Sequence, residues 1–169
     1  FGLDAAIALD TSDRRAAGTS QEGEALFVTS AMRILAQAKE GYPVRASFDG
    51  EGPLDLSTII FAVQVGPSYG GGFRICPEAD PTDGLLDVCY NVRVPALPRR
   101  IALLALARSG RHAKSSVVRI RRCRTASLDF ECEPPCQADG EKLVGTHFDI
   151  RVEPAALDVI FPSKRADRA

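Results

Sequence analysis

Apolar and polar residues alternate with a period of two in one short segment after another, and no other feature of this sequence restricts the fold as strongly. Val44, Ala46 and Phe48 alternate with Arg45, Ser47 and Asp49; Val118 and Ile120 with Arg119 and Arg121; Leu128, Phe130 and Cys132 with Asp129, Glu131 and Glu133. Phe148, Ile150 and Val152 repeat the pattern. Successive side chains of a strand point to opposite faces, so each of these segments reads as a strand with one buried face. Residues 54–65 are apolar and β-branched enough for a long strand buried on both faces, residues 85–94 form another, and a last short strand is expected over 157–161.

Two segments carry a helical period instead. Thr19-Ser20-Gln21-Glu22 fits a capping box, after which Phe27, Ala31, Ile34, Leu35 and Ala38 recur at helical spacing until Gly41 and Pro43. A shorter helix starts at Pro98, places Ile101, Leu104 and Ala105 on one side, and has Gly110 beyond its end. Many short strands, tight turns such as Asp49-Gly50-Glu51-Gly52 and only two helices predict a mainly β, sandwich-like or barrel-like antiparallel domain. At 169 residues the chain is most simply one domain, here read as residues 1–162 with a frayed tail over 163–169.

The formal net charge of −1 conceals an uneven distribution. Between Pro95 and Leu128 there are nine basic residues (Arg99, Arg100, Arg108, Arg111, Lys114, Arg119, Arg121, Arg122, Arg124) and no acid, which predicts a basic face. Aromatic residues do not interleave with these cations, so nucleic acid is not the expected partner. An anionic membrane surface and a plain solvated strand face both remain open for this stretch. The five cysteines form no compact framework, which favours a reduced, cytosolic setting. Cys132 and Cys136 lack the second pair of ligands that a zinc clip requires. No apolar run approaches the ~20 residues of a membrane span. The chain opens on Phe1 with no signal-peptide pattern, which reads as an excised domain.

Three stretches concentrate the chemistry. Gly70-Gly71-Gly72 lacks the spacing of a phosphate-binding loop and runs into an extended Phe-Arg-Ile-Cys-Pro, so it reads as a turn or bulge. Asp80, Asp83 and Asp87 surround an Asp83-Gly84 turn; carboxylates and turn carbonyls suit Mg²⁺ or Ca²⁺, and a solvated acidic turn accounts for them equally well. Asp139-Gly140-Glu141 reads locally as a hairpin turn with carboxylates at i and i+2.

Taken together, "YGGGFRICPEADPTDGLLDV" followed by "QADGEKLVGTHFDIRVEPAALDVIFP" resembles the C-terminal domain of the bacterial diacylglycerol kinase and sphingosine kinase superfamily of lipid kinases, and "FGLDAA" resembles the GFDA element that opens that domain. The resemblance implies the β-sandwich half of a two-domain enzyme whose α/β nucleotide-binding domain, with its GGDGT motif, is not in this sequence. It implies transfer of the ATP γ-phosphoryl group to a lipid hydroxyl, with diacylglycerol the leading substrate and sphingosine, ceramide or another lipid alcohol as alternatives. A noncatalytic sandwich that binds lipid or a partner is the reading from another class. By the same resemblance Asp139 and Glu141 are the catalytic pair, one of them taking the hydroxyl proton. The resemblance also implies a structural Mg²⁺, distinct from the one travelling with ATP, held by the Asp83 carboxylate and the backbone oxygens of Asp80 and Leu85; Asp87 is placed in its outer shell by proximity alone. The expected setting is cytoplasmic, with access to lipid at the inner membrane surface, and this chain alone is expected to be inactive.

Overall fold

A computed structural model describes residues 1–159 other than 21, 22, 39 and 71. In chain order the elements are α1 (Leu3–Ala16), α2 (Gly23–Gln37), β1 (Tyr42–Phe48), β2 (Leu54–Thr58), β3 (Phe61–Gln64), β4 (Leu86–Asn91), α3 (Leu97–Ala107), a 3-10 turn (Arg111–Lys114), β5 (Val118–Cys123), β6 (Thr125–Phe130), β7 (Cys136–Ala138), β8 (Glu141–Leu143) and β9 (His147–Arg151). A four-stranded sheet in the order β2-β1-β6-β9 faces a three-stranded sheet in the order β3-β4-β5, and β7-β8 forms a separate hairpin. Every pairing between these strands is antiparallel.

The alternation read from the sequence becomes the filling of the sandwich. Val44, Ala46 and Phe48 of β1 and Ala126, Leu128 and Phe130 of β6 meet Phe61, Leu86, Val88 and Tyr90 of the opposite sheet. Phe48, Phe61 and Tyr90 stack with centroids 5.6–6.4 Å apart. β4 is buried along its whole length because its second face, with Cys89, meets Phe73, Ile75, Cys76 and Ala107 beneath the helical layer. The result is three layers: sheet, sheet and helices.

Several expectations change. Among the described residues there are three α-helices rather than two. The second half of α1 is polar from Asp10 to Arg15, and the helix buries only Leu3, Ala5, Ile7 and Thr11, so its apolar stripe is too short to stand out. The expected strand over 54–65 is two strands in different sheets. The chain crosses at Ile59 and Ile60, whose N–H groups donate to Asn91 Oδ1, and β2 lies mostly exposed at the edge of its sheet. In α3 the inward side is Arg100, Leu103, Leu104 and Ala107, whereas Ile101 and Ala105 are exposed. The alternation in β5 holds only at its ends: Ile120 is exposed and Arg121 lies over the Phe48 ring, 4.8 Å from its centroid, with Glu51 at 2.5 Å. β6 stops at Phe130, leaving Cys132 exposed. Residues 157–159 form no strand, and Leu157 and Val159 are exposed. The capping residues Gln21 and Glu22, the end of the proposed last strand and the tail over 163–169 lie outside the described residues.

Candidate active site

The Asp139-Gly140-Glu141 segment is the tip of the β7-β8 hairpin. Ala138 pairs with Glu141, and Asp139 and Gly140 take φ values of 49° and 95°, the left-handed pair that a two-residue hairpin turn requires. Glycine suits the second position and aspartate is among the few other residues that tolerate the first. The Gly140 N–H donates to Gln137 Oε1 at 2.7 Å, fixing the tip from within. Asp139, Glu141, Lys142, Leu143 and Val144 are all exposed, so the two carboxylates stand at the surface with apolar residues behind them. The base of the hairpin is anchored: Pro135 C=O accepts from Gly2 N–H at 2.8 Å, and β7 packs against α1. Gly2 itself has φ 78°, and a Cβ there would lie 2.5 Å from Ile59 O, so no other residue fits without moving the strand crossing.

The acidic turn is built from two successive side-chain-to-backbone locks. Asp80 Oδ1 accepts from Thr82 N–H at 2.9 Å and from its hydroxyl at 2.6 Å, which hold the Asp80 carboxyl below the usual carboxylate range. Asp83 N–H donates to Asp80 C=O at 3.2 Å, and Asp83 Oδ1 accepts from Leu85 N–H at 2.9 Å. Asp80, Asp83 and Leu85 therefore sit in one tight turn. Asp87 is the second residue of the buried strand β4 beyond it. Its carboxylate is 1 % exposed and takes Arg122 Nε at 3.2 Å, yet Oδ2 has no hydrogen-bond partner among the described residues. Burial raises this carboxyl, with Arg122 opposing and the nearby Asp83 and Glu78 charges adding to the rise. Among the described residues no three His, Cys, Asp or Glu side chains gather into a metal-binding group; the acidic turn offers one carboxylate and carbonyl oxygens instead.

Tyr69 and Phe73, on either side of the glycine triplet, close a tight turn. They form an antiparallel bridge with reciprocal hydrogen bonds of 3.0 and 3.1 Å, and Gly70 and Gly72 have φ values of 58° and 98°. Its flanking side chains line a feature that the sequence did not disclose, an apolar cavity of about 100 Å³ between the helices and the three-stranded sheet. Leu3, Phe27, Tyr69, Phe73, Cys89 and Leu104 contribute to its wall. Polar groups are few. The Asp4 carboxyl is raised by burial and interacts with Tyr69, while the Tyr69 hydroxyl and His112 Nδ1 lack well-directed hydrogen bonds among the described residues. His112 Nε2 lies 3.1 Å from Ile75 O and 4.0 Å from the Cys89 sulfur. Residues 2–7 thus anchor the carboxylate hairpin at one end and wall the cavity at the other. A signal for Asp4 lay in "FGLDAA"; none existed for His112, whose burial depends on where α3 and the 3-10 turn come to rest.

A helix-backed antiparallel β-sandwich with a carboxylate hairpin at its surface is the class that these features define. Residues 1–161 match the family model described as the YegS C-terminal NAD kinase beta sandwich-like domain, and the chain belongs to that family. It is 35% identical over 127 residues to a probable lipid kinase YegS-like protein of Xanthomonas axonopodis pv. citri (strain 306), covering 72% of this chain and 40% of the relative. It is 34% identical over 96 residues to a diacylglycerol kinase of Mycobacterium tuberculosis (strain ATCC 25618 / H37Rv), covering 56% and 30%. The chain therefore spans less than half the length of these relatives. A solved structure from Bacillus anthracis str. Sterne shares the fold with a TM-score of 0.59 at 17% identity, covering 85% of this chain and 45% of that one. Another from the same organism, a diacylglycerol kinase, gives a TM-score of 0.50 at 14% identity over 74% and 47%. No helix among the described residues is long and apolar enough to cross a membrane.

Proposed function

We propose that this chain is the lipid-facing domain of an ATP-dependent kinase that phosphorylates a lipid hydroxyl, with diacylglycerol as the leading substrate. The observation that carries the reading is the exposed carboxylate pair Asp139 and Glu141, fixed on an anchored two-residue hairpin in a domain whose relatives are named as lipid kinases. A proton acceptor held at an outer edge is what a nucleotide-binding partner domain would need to complete a cleft. One of the two carboxylates takes the proton from the lipid hydroxyl as its oxygen attacks the γ-phosphorus, and ADP leaves with the bridging oxygen. A positioned base contributes about 10²–10⁴ in rate, and the remaining catalysis is alignment and charge. The apolar cavity beside Asp4 and Tyr69 offers a place for part of an acyl chain, and its sparse polar groups offer partners for a headgroup.

The acidic turn fits a hard cation. Its donors are oxygens, and the orphaned Asp87 Oδ2 beside Asp83 is the kind of group that a cation or its water would satisfy. The Asp83 carboxylate and the Asp80 and Leu85 carbonyls would hold Mg²⁺, and its charge would brace the turn. In this reading the protein is cytoplasmic and meets its substrate at the inner membrane surface.

The test is transfer of label from radiolabelled ATP by the full-length protein in Mg²⁺ buffer, with diacylglycerol, sphingosine and ceramide offered separately. Phosphatidic acid as the main product supports the reading, and label on another of these lipids changes the substrate. No labelled lipid, with vesicle binding intact, establishes the noncatalytic lipid-binding domain instead.

A further inference from the structure

Two of the five cysteines meet in the layer between β4 and the helices. Cys76 and Cys89 are 0% and 1% exposed and share one apolar cluster with Phe73, Ile75 and Ala107. Their thiols are hydrogen-bonded to one another. A single imidazole nitrogen also holds their two segments together. His112 Nε2 lies 3.1 Å from the carbonyl oxygen of Ile75, the residue before Cys76, and 4.0 Å from the Cys89 sulfur. A carbonyl oxygen can only accept, so Nε2 carries a proton, and the same N–H faces the sulfur. The hydrogen bond from Cys76, with His112 adding to it, draws the Cys89 thiol below the ordinary thiol range against the effect of burial. Burial pushes Cys123 and Cys136 the other way.

The two thiols differ in access. Cys89 lines the apolar cavity and Cys76 does not, so a small molecule entering there meets Cys89 first. The cavity volume of about 100 Å³ is well above the ~30 Å³ share of a water molecule, and hydrogen peroxide, small and uncharged, is of comparable size. Their places along the chain give a bond between them a consequence. Cys76 precedes Asp80 and Cys89 follows Asp87, so a cross-link from 76 to 89 closes a loop that contains the whole acidic turn Asp80–Leu85.

We propose that Cys76 and Cys89 are an oxidisable thiol pair, Cys89 reacting with a small peroxide and Cys76 resolving the product into a disulfide that closes the loop around the acidic turn. The Cys89 sulfur attacks one peroxide oxygen, the O–O bond breaks, and the departing hydroxide takes the thiol proton as water. The Cys76 sulfur then attacks the sulfenic sulfur and displaces its hydroxyl, which leaves as a second water with the Cys76 proton. Two thiols are oxidised and one peroxide is reduced. The His112 N–H steadies the attacking thiolate and is not consumed. None of this depends on the lipid kinase reading.

The experiment is treatment of the folded chain with hydrogen peroxide in a Cys132→Ser background, which removes the exposed cysteine. Alkylation in denaturant counts the surviving thiols, and a non-reducing peptide map locates any cross-link. Loss of two of the four remaining thiols, a linked peptide joining 76 to 89, a higher melting temperature and full recovery in dithiothreitol support the proposal. Cys76→Ala should halt the reaction at an oxygenated Cys89, and Cys89→Ala should leave Cys76 unreacted at the same dose. The map of the background chain decides the matter without either variant, should one fail to fold. Four thiols surviving the peroxide, a cross-link through Cys123 or Cys136, Cys89 gaining oxygen while Cys76 stays free in the background chain, or a 76–89 link that leaves the melting temperature unchanged would each overturn it.

Discussion

Asn91 Oδ1 accepts a hydrogen bond from the Thr58 hydroxyl at 2.9 Å and, with the same oxygen, from the N–H groups of Ile59 at 2.8 Å and Ile60 at 3.0 Å. This one side chain satisfies the backbone where it leaves the four-stranded sheet and enters the three-stranded one. Both Asn91 and Thr58 are at most 2% exposed, so water cannot substitute.

The Asn91→Ala variant should therefore be less stable by about 2–4 kcal/mol, because buried donors lose their acceptor. Urea unfolding of parent and variant measures this. A loss below about 0.5 kcal/mol, the ordinary range for surface substitutions, would show that the crossing does not depend on Asn91.

The carboxylate hairpin gives a kinetic expectation for the full-length protein. Asp139→Asn keeps the shape of the turn and removes the charge that takes the proton. If Asp139 is the acceptor, kcat falls about 10²–10⁴-fold with the lipid KM little changed. The same assay on Glu141→Gln assigns the role between the two. Near-parental kcat in both variants would take the hairpin out of the chemistry.

Asp83→Ala tests the acidic turn as a cation site. The parent's melting temperature should rise with added Mg²⁺, and the variant should lose that response as well as the Leu85 lock. Identical Mg²⁺ shifts in both proteins would remove Asp83 from the ligand set.

His147 predicts a pH dependence. Its Nδ1 lies 2.6 Å from Asp129 Oδ1 and its Nε2 3.1 Å from Asp149 Oδ2, and these two acceptors raise its pKa above the ordinary value of 6.5. The charged ring is favoured in the folded state, so its contribution is complete below about pH 6.5 and fades as pH rises through the higher folded value. Stability should decline over that window, modestly because all three groups are exposed, and the decline should be smaller in His147→Gln. Unfolding midpoints at about pH 6 and pH 8 make the comparison. Equal declines in the two proteins would show that the ion pairs make no contribution.

The last expectation concerns the chain by itself. Its sandwich core is continuous, so it should unfold cooperatively. With no nucleotide loop it should neither transfer phosphate to lipid nor bind ATP stoichiometrically, because alignment of both substrates is the main requirement of the reaction. Calorimetry at millimolar ATP tests this, and a tight one-to-one complex would contradict it.

The alternation of Val44, Ala46 and Phe48, and of Leu128 and Phe130, was sufficient to specify strands with one buried face, because a period of two is a local property that each strand carries alone. The Asp139-Gly140 turn was legible for the same reason: few residue types tolerate two successive left-handed conformations. The motifs around Asp83 and Asp139 also pointed to the family, since ordered strings of residues need no coordinates to be recognised. Tertiary structure alone decided the break of residues 54–65 at Asn91, because the acceptor that makes the break possible comes from more than 30 positions away. It alone decided that Arg121 lies on Phe48 beside Glu51 while Arg122 reaches Asp87, since a run of like charges carries no record of which carboxylates fold against it. The cavity among Leu3, Tyr69 and Leu104 belongs to the same category: a void is a property of surfaces brought together, and none of the segments that wall it contains it.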